Sequence, residues 1–243
     1  MIRTILAALI VLSFSPLRGQ EGTVVCLHGF FRSYKCMIPM SNTLRSEGLD
    51  VVLWDYQSRK KTIEGHAEDL VIILQNIARE KPGQPIHFIT HSLGGVITRV
   101  AVAHPNCPKE AKMGKAILLA PPNQGSCLAR NFQSWKPMRW IFGKHAGRQL
   151  LDCSPEEMLD LGKFPSTMEV VVIAGDKGNP LWFTKANDGK VSVHETQLDT
   201  PHIHITTPAA HSWIMTSRWT IDFSKDFLIH KYHVDLNNSD SEY

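Results

Sequence analysis

Short apolar runs alternate with longer amphipathic stretches along most of the chain. Unbroken apolar runs are typical of strands covered on both faces of a parallel sheet, whereas half-exposed strands alternate between apolar and polar positions. The pattern therefore predicts six strands, at Thr23 to Leu27, Asp50 to Trp54, Ile86 to Ile89, Lys115 to Ala120, Glu169 to Ala174 and His202 to Ile205.

Helix-like stretches lie between several of these runs. The clearest is Ile63 to Glu80, where apolar residues recur every three or four positions, and Met37 to Glu47 and Val96 to His104 are further candidates. A terminal helix is expected after residue 213. Because strands and helices alternate, the sequence predicts an α/β fold with a doubly wound, mostly parallel sheet.

The stretch from Cys127 to Lys163 breaks this rhythm, and we interpret it as a small helical cap insertion at about 127–166. Its aromatic and apolar residues stand beside basic ones: Trp135, Met138, Trp140, Ile141 and Phe142 with Lys136, Arg139 and Lys144. Three interpretations stay open: a helix pair packed on the core, a cap that lines an acyl pocket, or a contact with a lipid surface.

The first 19 residues have the layout of a secretory signal. A positive start with Arg3 is followed by an apolar run from Ile5 to Leu12 and then by Pro16. We expect export, to a periplasm or the medium, and one mature domain over 20–243. Retention as an N-terminal anchor is the alternative, although the run is shorter than the roughly 20 apolar residues of a spanning helix.

Composition and charge narrow the function classes. The 243 residues are 43% hydrophobic and 20% charged, which indicates one globular domain. A net charge of +3 is too small to indicate nucleic-acid binding, which must neutralise several phosphates. The five cysteines lack a Cys-x-x-Cys spacing, so the sequence gives no support for a zinc or haem site. Cys26 is predicted to be a buried thiol, and export would permit one disulfide among the other four.

The segment 90–95, with the sequence THSLGG, lies between a predicted strand and a predicted helix. A serine on such a sharp turn needs small neighbours, which Gly94 and Gly95 supply. The helix N-terminus behind it offers amides to a developing oxyanion. Ser92 is therefore the predicted nucleophile, and His91 is expected to support the turn.

A second loop, with the sequence HGF at 28–30, follows the first strand. Gly29 allows the chain to turn so that the Phe30 amide points at a substrate carbonyl oxygen, opposite the Leu93 amide. Two backbone donors of this kind form an oxyanion hole. His28 is expected to brace the loop by hydrogen bonds to the backbone.

These segments together resemble the α/β-hydrolases, and among them bacterial lipase-like serine esterases. The resemblance rests on HGF with Arg32-Ser33, Asp55-Tyr56, THSLGG, PPNQGS at 121–126 and NDGKV at 187–191. It implies a serine hydrolase, with 121–126 as a wall of the site. Thr90 departs from the family's Gly-x-Ser-x-Gly pattern at its first glycine.

A serine hydrolase on this fold orders its triad as serine, acid and histidine. His211 lies in a loop after the last predicted strand and is the predicted base. Two acids compete: Asp176 directly follows a strand, whereas Asp188 lies in the segment that resembles the lipase-like pattern and is preferred. His202 and His204 alternate on one strand, but they have no third ligand for a metal.

The sequence thus predicts a carboxylic ester hydrolase, an esterase or lipase acting on an acyl ester or lipid, with a triad of Ser92, Asp188 and His211. It would work through an acyl-enzyme and need no cofactor. An acyltransferase or thioesterase with the same residues, and a non-catalytic binding protein on the same fold, are the alternatives. Contact with a membrane surface also stays open.

Overall fold

The computed structural model describes residues 22–132, 134–178 and 185–229. The predicted export segment 1–19 lies outside these residues. In the described parts of the chain, no helix combines the length and the apolar character that crossing a bilayer would require.

Within the described residues, six strands form a single parallel sheet in the order β2-β1-β3-β4-β5-β6. The predicted fold class is confirmed, and the strands differ from the prediction only at their ends. Their bounds are β1 Thr23–Leu27, β2 Asp50–Trp54, β3 Ile86–His91, β4 Lys115–Leu119, β5 Glu169–Gly175 and β6 Ile203–Thr207.

Helices cover both faces of this sheet. Those that the structure describes outside the region between β4 and β5 are α1 Ile38–Ser46, α2 Ile63–Glu80, α3 Leu93–Ala103, α4 Lys109–Lys112 and α9 Arg218–Ile229. The Thr62 side chain accepts a hydrogen bond from the Gly65 amide at 3.1 Å and so caps the N-terminus of α2.

Two hydrophobic clusters lie on opposite faces of the sheet, and consecutive strand residues enter them alternately. Val25 and Phe88 pack in the cluster with α2 and α3, whereas Cys26 and Ile89 pack in the cluster with α1 and α9. Burial of each such side chain contributes about 1.5 to 3 kcal/mol. Both faces are covered, which is why the strands are apolar at nearly every position.

Helix α3 begins at Leu93, so the prediction that it begins at Val96 is wrong by one turn. The prediction places Gly94 and Gly95 in the turn as small neighbours of the serine, and glycine is also a weak helix former. They are helical here because the first turn of α3 presses against β1: a Cβ on Gly94 would lie 2.8 Å from the His28 carbonyl oxygen. Close packing therefore outweighs helix propensity.

In the region predicted as a cap insertion, between β4 and β5, the described residues form four short helices. They are α5 Cys127–Asn131, α6 Lys136–Phe142, α7 Ala146–Asp152 and α8 Pro155–Asp160. The fully buried Arg99 of α3 donates to the carbonyl oxygens of Met158, Leu159 and Gly162 at 2.6, 3.0 and 3.1 Å. Burial lowers the pKa of Arg99 to about 10. These bonds anchor the end of the helical region to the core.

The five cysteines are free thiols, so the disulfide that export would permit is not formed. Cys26 is buried in β1 as predicted, and burial raises its pKa to about 12.

Candidate active site

Ser92 occupies the sharp turn between β3 and α3. Its backbone has φ 53° and ψ −123°, a conformation that costs a non-glycine residue about 1 to 3 kcal/mol. The Ser92 amide donates to the Leu119 carbonyl oxygen at 2.8 Å, and the Ser92 carbonyl accepts from the Gly95 amide at 2.9 Å. These bonds hold the strained residue at the carboxyl edge of the sheet.

Two glycines, Gly29 and Gly95, allow the surrounding chain to approach this turn. A Cβ on Gly29 would lie 2.9 Å from the Ser92 Cβ, so the loop after β1 lies directly against the serine. A Cβ on Gly95 would lie 3.2 Å from the Thr90 hydroxyl oxygen. The missing side chain at Gly95 leaves room for Thr90, which explains why threonine fits where the family's pattern has glycine.

A chain of hydrogen bonds runs from Ser92 through His211 to Asp188. His211 Nε2 lies 3.0 Å from the Ser92 hydroxyl oxygen, and His211 Nδ1 lies 2.7 Å from Asp188 Oδ2. All three residues are buried. The structure therefore brings together the three residues that the sequence analysis singled out from segments up to 119 positions apart.

The loop around Asp188 orients its carboxylate. Oδ1 accepts hydrogen bonds from the amides of Lys190 and Val191 at 2.9 and 2.8 Å, which leaves Oδ2 for the imidazole. The His211 amide also donates to the Asp188 carbonyl oxygen at 2.9 Å. With Nδ1 donating to the carboxylate, Nε2 is free to accept the serine proton.

Asp176, the competing acid, follows β5 and is exposed. Its amide donates to the Thr207 carbonyl oxygen at 3.1 Å. The aspartate that contacts His211 is Asp188.

The Phe30 and Leu93 amides remain available as donors. Within the described parts of the chain, neither donates to a protein acceptor. The loop that presents Phe30 is held by the Phe31 amide, which donates to the Ser58 hydroxyl at 3.2 Å. Amides without a protein partner beside the serine are suited to bind a ligand oxygen.

Two further histidines support the site. His28 Nδ1 donates to the Gly29 carbonyl oxygen at 2.8 Å, and its ring stacks on Tyr56 with centroids 4.2 Å apart, which is the bracing role expected of it. His91 Nε2 donates to the His211 carbonyl oxygen at 2.9 Å. Burial, and then the nearby His211, lower the pKa of His91 well below its ordinary value. His91 is therefore a neutral support for the backbone of His211.

His202 and His204 bond to protein oxygens. His204 Nε2 lies 2.8 Å from the Thr196 hydroxyl, and His202 Nδ1 lies 2.8 Å from the Thr200 carbonyl oxygen. In the part of the chain that the structure describes, no group of three or more His, Cys, Asp or Glu side chains could hold a metal ion.

Ser92 and His211 face a cavity of about 280 Å³. Its walls come mainly from the loop after β1 and from the helices between β4 and β5. Among the apolar lining residues are Phe30, Leu128, Phe132, Met138, Phe142 and Leu150. The space beside the serine therefore suits a hydrophobic group.

Glu195, which no sequence pattern indicated, is a buried carboxylate that joins the Asp188 loop to α5. It accepts hydrogen bonds from the Ser192 hydroxyl at 2.8 Å and from Arg130 Nη2 at 2.9 Å. The Cys127 amide also donates to it. A single glutamate in a polar segment carries no signal of such a role, because its partner Arg130 is 65 positions away.

Comparisons with known proteins agree with this fold. The family model described as serine aminopeptidase, S33, matches residues 19–174, a span that includes Ser92 and ends before Asp188. No curated protein matches the chain.

Several solved structures share the fold at low sequence identity. The mature lipase BlEst2 of Bacillus licheniformis is 19% identical, with a TM-score of 0.72, over 87% of this chain and 93% of its own. A gene product of Listeria innocua is 15% identical, with a TM-score of 0.65, over 88% and 96%. A metagenomic carboxyl esterase is 17% identical, with a TM-score of 0.62, over 86% and 71%.

Proposed function

Because this chain belongs to the S33 serine aminopeptidase family of α/β hydrolases, we propose that it is a serine hydrolase that cleaves carboxylic esters with a hydrophobic acyl group. The observation that carries the proposal is the hydrogen-bonded chain of Ser92, His211 and Asp188 beside an apolar cavity. In this proposal the three residues form the catalytic triad.

The mechanism begins with attack of the Ser92 hydroxyl oxygen on the acyl carbon while His211 Nε2 takes its proton. Asp188 keeps the proton of the imidazole on Nδ1 and stabilises the imidazolium that forms. The Phe30 and Leu93 amides bind the oxyanion, and loss of one such donor typically costs about 3 to 4 kcal/mol. His211 then protonates the leaving alcohol, and water repeats these steps on the acyl-serine to release the acid.

The lining of the cavity favours an acyl ester over a peptide. An aminopeptidase must hold the charged N-terminal ammonium of its substrate, which requires an anionic or carbonyl partner. Among the described residues that line the cavity, no side chain is acidic, and the charged one is the cation Lys190. The known lipase and carboxyl esterase that share the fold are consistent with this preference.

A lipid surface is a further part of this proposal. Met138 and Phe142 of α6 face the cavity, whereas Trp140 and Ile141 of the same helix are 80% and 40% exposed. Trp135, just before α6, is 53% exposed. Exposed tryptophans beside lysine and arginine are typical of helices that lie in a membrane interface. This face would bring the cavity close to a lipid substrate.

The test is labelling of the purified protein with a fluorophosphonate probe, followed by assays of p-nitrophenyl esters of increasing chain length. Ser92→Ala should abolish labelling and lower kcat by about 10⁶-fold. The control is Ser46→Ala, which replaces an exposed serine of α1. Labelling of Ser92→Ala, or no labelling of the wild type, would contradict the proposal. If the wild type is labelled but hydrolyses no ester, the result favours acyl transfer or a thioester substrate.

A further inference from the structure

A second cleft, of about 580 Å³, lies beside the acyl cavity. Four cations line it: Arg32, Arg59, Lys60 and Lys144. His145 lies in the same wall, and Asp55 is the one carboxylate among the described lining residues. We name this site the basic cleft.

Among the described residues, the four cations of the basic cleft have no partner in an ion pair. By contrast, nearby Lys61 pairs with Asp69 at 2.8 Å. Like charges that share one cleft repel each other, and an anion bound between them removes that repulsion. The charge of the cleft therefore matches an anionic ligand.

Hydrogen bonds join the walls of the basic cleft. The Ala146 amide donates to the Lys61 carbonyl oxygen at 3.0 Å. Arg59 Nη2 donates to the Trp140 carbonyl oxygen at 3.3 Å, and the Ile63 amide donates to Gln149 Oε1 at 2.7 Å. These bonds connect residues 59–63 to the helical region over 140–149, so the cleft is formed before any ligand binds.

The basic cleft adjoins the proposed catalytic site at two points. The Arg59 guanidinium carbon lies 5.5 Å from the centre of the Phe31 ring, and Phe31 itself lines the acyl cavity. On the other side, Arg32 Nη2 donates to the carbonyl oxygen of Ser212, the residue after His211, at 3.4 Å. An ester with its acyl chain in the cavity would therefore extend its other end toward these cations.

We propose that the basic cleft binds a phosphate group of the ester substrate, so that the enzyme prefers acyl esters that carry a phosphate, such as glycerophospholipids. This inference rests on the proposed ester hydrolysis. Two guanidinium groups, each able to donate to two phosphate oxygens, and two lysines suit phosphate better than a single carboxylate. The apolar cavity and the basic cleft would then select the two ends of one amphiphile.

The experiment compares two monomeric substrates that differ by the phosphate alone, dihexanoylglycerol 3-phosphate and dihexanoylglycerol. The readout is the ratio of their kcat/KM values, from release of hexanoic acid below the critical micelle concentration. The wild type should prefer the phosphate ester by about tenfold or more. The double variant Lys60→Gln/Lys144→Gln should lose most of this preference, mainly through a higher KM for the phosphate ester.

The matched control is Lys109→Gln/Lys112→Gln, which removes the same charge from α4. This helix precedes β4 and so lies at the opposite edge of the sheet from Ser92. The control should keep both the esterase activity and the preference for phosphate. Equal kcat/KM values of the wild type for the two substrates, or an unchanged preference in Lys60→Gln/Lys144→Gln, would overturn the inference.

Inorganic phosphate tests whether the basic cleft binds the phosphate of a substrate or a free phosphate ion. Its binding to Ser92→Ala protein is measured by calorimetry against chloride at equal ionic strength. The headgroup assignment is supported if adding Lys60→Gln/Lys144→Gln to Ser92→Ala weakens phosphate binding and the wild type prefers the phosphate ester. Binding without any substrate preference assigns a site for free phosphate and overturns it.

Failure of the two proposals can be distinguished. If the wild type hydrolyses p-nitrophenyl butyrate but shows no preference for the phosphate ester, the basic cleft is wrongly assigned and the esterase stands. If it hydrolyses no ester, the proposed function is wrong, and the headgroup inference that rests on it is wrong with it.

Discussion

Asp188 and Asp176 show how much a residue's role depends on what holds its side chain. Both follow β5, and both stand in glycine-containing segments. Two amides orient the buried Asp188 carboxylate toward His211, whereas Asp176 is exposed to solvent. An acid that must fix one tautomer of an imidazole needs this orientation as well as its charge.

Asp188→Asn should lower kcat by about 10⁴-fold, because the amide group no longer selects the tautomer in which Nε2 accepts the serine proton. Asp176→Asn serves as the control and should stay near the wild-type rate. Steady-state kinetics on p-nitrophenyl butyrate check both variants. A large loss in Asp176→Asn with a minor one in Asp188→Asn would reverse the assignment.

Buried His91 links stability to pH. Its pKa in the folded protein is held well below 6.5, mainly by burial, so the unfolded chain binds the proton first as the pH falls. The free energy of unfolding should therefore decrease below about pH 6.5, by about 1.4 kcal/mol per pH unit from this residue while it stays neutral in the folded state.

Urea unfolding of the wild type and His91→Gln at pH 6.5 and 5.5 measures this contribution. The variant should show the weaker pH dependence, because glutamine takes up no proton in the unfolded state. Equal slopes for the two proteins would show that His91 is protonated in the folded state, against the effect of its burial.

At the scale of elements, the loop that carries Asp188 depends on the helices between β4 and β5. Glu195 connects them through Arg130, and the Ser126 hydroxyl, at the N-terminus of α5, donates to the Lys190 carbonyl oxygen at 2.7 Å. The helical region therefore does more than cover the cavity, since it also holds the acid in place.

Glu195→Gln should lower the free energy of unfolding by about 1.5 to 3 kcal/mol, because charge-assisted hydrogen bonds to a buried carboxylate are lost. It should also lower kcat, since the Asp188 loop becomes less ordered. The control Glu169→Gln removes an exposed carboxylate that lies 3.6 Å from Lys115, and it should cost less than about 1 kcal/mol. Urea unfolding and ester kinetics measure both effects, and equal losses in the two variants would refute this role of Glu195.

At the scale of the whole molecule, three features lie around the carboxyl edge of the sheet. They are the cavity, the basic cleft and the helix α6 with the exposed Trp135 and Trp140. Parallel strands end together at this edge, and the loops and helices that follow them meet there. The arrangement presents one functional face and explains why apolar and cationic groups occur side by side on it.

Trp135→Ala/Trp140→Ala should weaken binding to vesicles of anionic phospholipid by at least about tenfold. A tenfold loss of affinity is about 1.4 kcal/mol, which the burial of only about 55 Å² of apolar surface supplies. Trp219→Ala, which alters an exposed tryptophan of α9, is the control. Vesicle co-sedimentation gives the affinities. If the double variant binds as tightly as Trp219→Ala, the proposed lipid contact through α6 is wrong.

The sequence alone determined the parallel sheet, because strands buried on both faces must be apolar throughout. It also indicated Ser92, since a serine with Gly94 and Gly95 between a strand and a helix has few other interpretations. Asp188 came from a resemblance in a short segment, and His211 came from its place in a loop after the last predicted strand. These features are local in the chain, so a local pattern can predict them.

Tertiary structure alone decided the rest. In the folded protein, α3 begins at Leu93 and Glu195 bonds to Arg130. The cations of the basic cleft come from positions as far apart as 32 and 144. None of these relations leaves a periodic pattern, because each depends on which distant segments pack together. Charge and burial take effect through neighbours in space, and those neighbours are known only once the chain has folded.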